Sequence, residues 1–171
     1  MAKAPLTEVA ARCSCGAVEL TLEGAPILTA VCYCDACQLA AKAIETLENA
    51  PKITDAAGGT PLVLYRRDRM RVVKGEDNLQ DFRLSARTPT RRRVAMCCDT
   101  MVYLDFSKGH WVSVHRERLA PEARPPVEMR IQTRYVAEGL AIPEGGKIYR
   151  KWPMRFIGRL LKAQMAMLVG R

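Results

Sequence analysis

Three cysteines, Cys32, Cys34 and Cys37, fall within the seven-residue stretch "CYCDACQ" (32–38), and four others complete the seven cysteines of the chain. The other four form two pairs, Cys13 with Cys15 and Cys97 with Cys98. Clustered thiols of this kind are ligands for a soft divalent cation, and zinc is the usual guest. It binds about four donors in a tetrahedron at roughly 2.3 Å from sulfur; structural sites are filled by side chains, and catalytic sites keep one position open. Cys13 and Cys15 supply half of a closed site, and only Cys97 and Cys98 remain to complete it. Cys32, Cys34 and Cys37 then offer three thiolates with no obvious fourth protein ligand, the donor set of an open, catalytic site. A zinc ion held there lowers the pKa of an incoming thiol or water. The competing readings are a purely structural zinc completed by Asp35, a carbonyl or water, and ordinary buried cysteines. Redox sensing by Cys97 and Cys98 ranks last, because a bond between sequence neighbours strains disulfide geometry.

Other groups are candidates for supporting roles. Arg66, Arg67, Arg69 and Arg71, or Arg91 to Arg93, have the paired N–H donors that meet carboxylates, although each also reads as a solvated strand-edge charge. His110 and His115 are the only histidines, the side-chain type suited to moving protons near neutral pH, yet both sit in "HWVSVH", which alternates as an ordinary strand does. Trp111 and Tyr33 suit either a pocket wall or the core.

The elements that must position these groups are mostly strands. In "AVELTLEG" (17–24), Val18, Leu20 and Leu22 alternate with Glu19, Thr21 and Glu23, the period of a half-buried strand. "PILTAVCYC" predicts a second strand running into the thiol cluster. Helix formers from Ala36 to Ala50 predict a helix with Leu39, Ala43, Ile44 and Leu47 on one face, ended by Pro51. Further strands are expected from Leu62 to Tyr65, on both sides of Gly75, on both sides of Cys97 and Cys98, in "HWVSVH" and in "VEMRIQTRYVA". Each Cys-x-Cys pair is expected on a strand, where residues two apart point to the same side. The adjacent Cys97 and Cys98 share one ion only if the chain turns between them. A chain of 171 residues suits one core. The sum is a mainly β domain over residues 1–146 with one early helix. Residues 147–171 carry seven basic and no acidic residues. There Ile157, Leu160, Leu161, Met165 and Leu168 form one face of a basic amphipathic helix that packs on the domain or on a dimer mate, or lies on a membrane surface.

These motifs carry a resemblance. "CSCGAVEL", "CYCDACQ" and, some sixty residues later, "CCDT" resemble the glutathione-dependent formaldehyde-activating enzyme family, which includes centromere protein V. Adjacent cysteines in the last motif resemble an uncharacterised branch of it. The resemblance implies a zinc-stabilised β-tent fold, a structural zinc between the first and last motifs, and a second zinc on the middle triad with glutathione bound nearby. By residue, Cys13, Cys15 and Cys98 correspond to structural ligands, and Cys32, Cys34 and Cys37 to the catalytic set. The chain departs from the family pattern at Ala95, which stands where the first cysteine of the last motif belongs, and at Tyr33, which replaces a histidine.

Two functions follow as expectations. One is a carbon–sulfur lyase that joins a small aldehyde to a thiol such as glutathione or releases it. The other is a non-catalytic zinc module on an anionic macromolecule, favoured by the net charge of +9. Nucleic acid is the less favoured partner, because helix-turn-helix, zinc-finger and aromatic–basic patterns are all missing. No apolar run reaches the roughly 20 residues of a membrane span, and "MAKAPLTEVAARC" lacks the core of a secretory signal, so a cytoplasmic location with reduced thiols is expected.

Overall fold

The computed structural model describes residues 7–170; residues 1–6, the start of the stretch read for a secretory signal, lie outside it. In chain order its elements begin with β1 (Glu8–Arg12), β2 (Glu19–Glu23), β3 (Leu28–Cys32) and α1 (Asp35–Ile44). There follow β4 (Thr60–Arg66), β5 (Met70–Lys74), β6 (Leu79–Phe82), β7 (Thr90–Ala95), β8 (Thr100–Phe106) and β9 (Trp111–His115). The last are β10 (Met129–Ile131), β11 (Lys147–Ile148) and α2 (Met154–Leu168). The protein is mainly β, as its alternating sequence predicts.

Three layers stack. An eight-stranded sheet, ordered β11-β10-β3-β4-β9-β8-β7-β6, lies between a three-stranded sheet, β1-β2-β5, and the helices. Period-two alternation divides each central strand between two cores. Leu62 and Leu64 of β4 join the core shared with Ile44 of α1 and Phe156 and Leu160 of α2. Val63 and Tyr65, on the opposite face, pack with Leu20 and Leu22 of β2. Leu20 and Leu22 are fully buried; at about 25 cal/mol per Å² of apolar surface, each contributes roughly 2 kcal/mol.

In the central sheet a bulge between β7 and β8 breaks the alternation. Arg93 pairs with Tyr103, but the next residue, Val94, pairs with Met101, so Val102 and Tyr103 of β8 together oppose one residue of β7. The extra residue lets Met101 and Leu104 both reach the helix-side core with Val94, while Val102 and Tyr103 go to the other. Bulges re-aim side chains in this way.

The helices differ from expectation in their buried faces. On α1, Cys37, Ala40, Ala41 and Ile44 are buried and Leu39 is exposed, because small side chains let the helix sit close to the sheet. The helix also ends at Ile44, well before Pro51. Glu45 draws the chain back by accepting hydrogen bonds from the Ile53 (2.7 Å) and Thr54 (3.1 Å) amides. On α2 the buried residues are Phe156, Leu160 and Ala163, leaving Ile157, Leu161, Met165 and Leu168 outward. Only the first part of "VEMRIQTRYVA" is a strand; a 3-10 turn over Thr133–Tyr135 follows, after Gln132 adopts a left-handed conformation (φ 60°). No helix among the described residues is long and apolar enough to cross a membrane.

Candidate metal centres

The seven cysteines converge into two clusters on opposite faces of the central sheet. Cys13, Cys15, Cys97 and Cys98 form one, Cys32, Cys34 and Cys37 the other, and within each the sulfurs lie within 4.8 Å of one another. Cys13 and Cys98 belong to the core beneath the small sheet, Cys32 and Cys37 to the core beneath the helices.

In the four-thiol cluster the separations are 3.6 Å for Cys13–Cys15, 3.9 Å for Cys13–Cys97, 3.3 Å for Cys15–Cys97 and 3.8 Å for Cys97–Cys98. Four sulfurs at zinc bonding distance from one ion are about 3.8 Å apart, so the donor set fits a tetrahedral cation. Cys13 and Cys15 do not achieve this on a strand, contrary to expectation, whereas Cys97 and Cys98 lie between two strands as expected. Cys13 and Cys15 instead occupy a turn, in which the Gly16 amide donates to the Cys13 carbonyl (3.1 Å) and Gly16 takes a φ of 75°. Cys97 and Cys98 also occupy a turn, closed by Asp99 in the left-handed region (φ 52°), which brings the adjacent sulfurs to one side. The Asn49 amide donates to the Asp99 carboxylate at 3.0 Å and holds that turn.

A shell of polar groups fixes the two turns. The Val18 amide donates to Cys13 Sγ at 3.2 Å, Thr100 Oγ1 lies 3.1 Å from Cys98 Sγ, and the Ser14 amide donates to Thr100 Oγ1. Burial raises the Cys98 thiol, but hydrogen bonds from Thr100 and Cys15 outweigh it and lower the pKa to about 6. At Cys98 the polar shell therefore favours thiolate, the ligating form, whereas burial and its thiol neighbours raise Cys97.

The triad is built differently. Cys32 ends β3, Cys34 precedes α1, and Cys37 lies in its first turn, with the Cys37 amide donating to the Cys34 carbonyl at 3.0 Å. A strand running directly into a helix thus folds three sulfurs around one point. Hydrogen bonds from Cys32 and Cys37 lower the Cys34 thiol to about 3, whereas bonds to Cys34 and Cys37, together with burial, push Cys32 well up. Three clustered thiols, two of them buried, are a donor set matched to a soft cation. No further histidine, cysteine or carboxylate joins this cluster among the described residues.

The triad opens onto a cleft of about 420 Å³ between the central sheet and α2. Its charged member is Arg92, only 2% exposed. Arg92 Nη2 donates to the Ala36 carbonyl at 2.7 Å, while Nη1 is buried with no partner among the described residues. Its charge favours thiolate at Cys34. The period of β7 puts Arg92 on the helix side with Val94, and sends Arg91 and Arg93 to Asp105 and Asp81 on the other. Sequence reasoning treated the three arginines as a block; Val94, two residues on, was the available signal for Arg92.

Several other candidates lie away from sulfur chemistry. Arg66 pairs with Asp68, Arg67 with Asp105, and Arg71 with Glu23. His110 donates from Nε2 to the Leu160 carbonyl (2.7 Å), and His115 from Nε2 to the Ile53 carbonyl (2.9 Å). Burial lowers the pKa of His115 to about 4. Tyr33, fully buried, donates to Asp55 Oδ2 (2.7 Å) and accepts from Arg130 Nη1 (2.6 Å), a network that sequence reasoning missed. Trp111 lines the cleft.

Known proteins give the arrangement its context. No functionally curated protein matches the chain. A crystal structure of a Rhodobacter sphaeroides protein is 20% identical and covers 69% of this chain and 96% of its own, with a TM-score of 0.47. The family model described as glutathione-dependent formaldehyde-activating enzyme matches residues 8–132, a span that holds all seven cysteines. The chain belongs to the glutathione-dependent formaldehyde-activating enzyme family.

Proposed function

We propose that the protein is a two-zinc carbon–sulfur lyase that joins a small aldehyde to a thiol or releases it. Cys13, Cys15, Cys97 and Cys98 hold the structural ion. Cys32, Cys34 and Cys37 hold the second and form the reaction centre. The observation that carries this reading is the asymmetry of the clusters: four sulfurs in one, and in the other three sulfurs beside a cleft. A zinc ion on the triad supplies Lewis acidity and favours the thiolate form of a thiol co-substrate. Glutathione is the co-substrate that the family description names.

The chain's own groups have definable tasks. Arg92 offsets the negative charge of the thiolates, from a position where little water screens it. The cleft walls align thiol and aldehyde, replacing a chance encounter with a held geometry. In the joining direction the thiol loses its proton, the sulfur electron pair forms a bond to the carbonyl carbon, and the carbonyl oxygen gains a proton to become a hydroxyl. Release breaks the same bond and reverses both proton movements.

Isotope-exchange NMR between labelled formaldehyde and its thiol adduct tests the proposal. Zinc-loaded protein is expected to accelerate exchange over buffer and over the Cys34→Ser variant; equal rates in all three would remove the enzymatic reading. A second reading, a non-catalytic zinc module on an anionic macromolecule, is favoured by the outward face of α2, where Arg155 and Lys162 are exposed beside Ile157 and Leu161. Salt-sensitive binding to nucleic acid without thiol-dependent exchange would select it.

A further inference from the structure

We infer that the cleft takes a thiol with an apolar body, or the small-aldehyde adduct of one, in preference to a peptidic thiol such as glutathione. The inference rests on the proposed reading that the triad receives a sulfur. It names what that sulfur is attached to.

The walls are the first argument. Twelve of the eighteen residues lining the cleft carry purely aliphatic or aromatic side chains. Leu62, Leu104, Phe106 and Trp111 form the sheet side. The opposite side comes from Trp152, Phe156, Ile157 and Leu160, on and just before α2. That second wall lies outside the span matched by the family model, residues 8–132, so this chain's own tail shapes the space next to the shared cysteines. A volume of about 420 Å³ is within the range of small-molecule sites.

The charges are the second. Among the described residues, Arg92 is the only ionisable group lining the cleft apart from the three cysteines. Its buried, unpartnered Nη1 has capacity for one acceptor, which a single anionic atom of a ligand would satisfy. Glutathione brings a pair of carboxylates, an ammonium and two amides. The ammonium would find no carboxylate in this lining, and a polar group moved from water to an apolar wall without a partner is disfavoured. An alkyl or benzyl thiol brings none of these groups.

The chain provides its own reporters, because its two tryptophans, Trp111 and Trp152, both line the cleft. Zinc-loaded, full-length protein is titrated with hexanethiol, benzyl mercaptan, hexanol and glutathione. Intrinsic fluorescence is followed, and zinc content is measured at each endpoint. The apolar thiols are expected to bind about tenfold more tightly than glutathione, or better still. Ile157→Glu, and separately Trp152→Ala read through Trp111, are expected to weaken the apolar thiols by about tenfold with zinc content unchanged. Both positions are partly exposed at the mouth, and two variants guard against one that does not fold. Glutathione binding as tightly as hexanethiol, or apolar thiols insensitive to both variants, overturns the inference while leaving the thiol-receiving triad intact. Hexanol binding as tightly as hexanethiol has the opposite meaning: the apolar cleft stands, and delivery of sulfur to the triad falls.

Discussion

The two thiol clusters share a ligand chemistry but differ in how the chain surrounds them. The four-thiol cluster joins two turns, and Cys15 and Cys97 are exposed at its rim. Its sulfurs come from positions more than eighty residues apart, so closing it fixes the small sheet to the central one. The triad comes from a single strand-to-helix junction, has Cys32 and Cys37 buried, and faces a cleft. A cluster that links distant segments contributes to folding. One assembled locally costs the fold little when it is altered, which leaves it free for chemistry.

The largest test of this contrast is Cys13→Ser or Cys15→Ser. Structural zinc contributes apparent free energies of about 10–16 kcal/mol in small zinc domains, comparable to or above the roughly 5–15 kcal/mol stability of a typical domain. Both variants are expected to lose the cooperative thermal transition seen by circular dichroism. Cys34→Ser is expected to keep that transition and to lower bound zinc from about two equivalents to about one by elemental analysis. Equal loss of structure in both sets would erase the distinction.

Acid separates metal release from a background that belongs to neither cluster. The folded-state pKa of His115, about 4, lies below the ordinary value of 6.5, so its stabilisation is complete above pH 6.5 and is lost as pH falls through 4. The amount is about 3 kcal/mol. His115→Gln, compared with wild type by urea unfolding at pH 7 and pH 4, is expected to lack that part of the acid loss. If both proteins lose equal stability, the acid sensitivity lies outside His115, in the thiols and in carboxylates such as Glu45 and Asp105 that their partners hold low. The smallest effect expected is that of Thr100→Val, which removes the hydroxyl beside Cys98 Sγ. Loss of such a partner lowers metal affinity about tenfold. Competition with a chromogenic chelator is expected to show this for one zinc and no change for the other.

Much of this was legible in the residues themselves. Alternation in 17–24 and the spacing of the cysteines gave the strands and both clusters, because side-chain period and ligand spacing are local properties. The helix faces were not. A hydrophobicity count favours Leu39 and Leu161 for burial, whereas close packing against the sheet selected Ala40, Ala41 and Ala163. Arg130 gave no signal at all: it lies between Met129 and Ile131 on β10, and its partners Tyr33 and Asp55 are distant in sequence. For Cys97 and Cys98 the flanking strands were legible, and the left-handed Asp99 supplies the turn that their sharing of one ion required.

The anchored ring of Tyr33 has one more consequence. In the chain it stands between Cys32 and Cys34, yet its hydroxyl is committed to Asp55 and Arg130, and among the described residues the cleft lining holds no histidine or carboxylate. On the proposed reading, protons that enter or leave there are ferried by solvent species. Turnover should therefore climb with the concentration of a small buffer acid at constant pH, an acceleration that an enzyme with its own resident relay would not display.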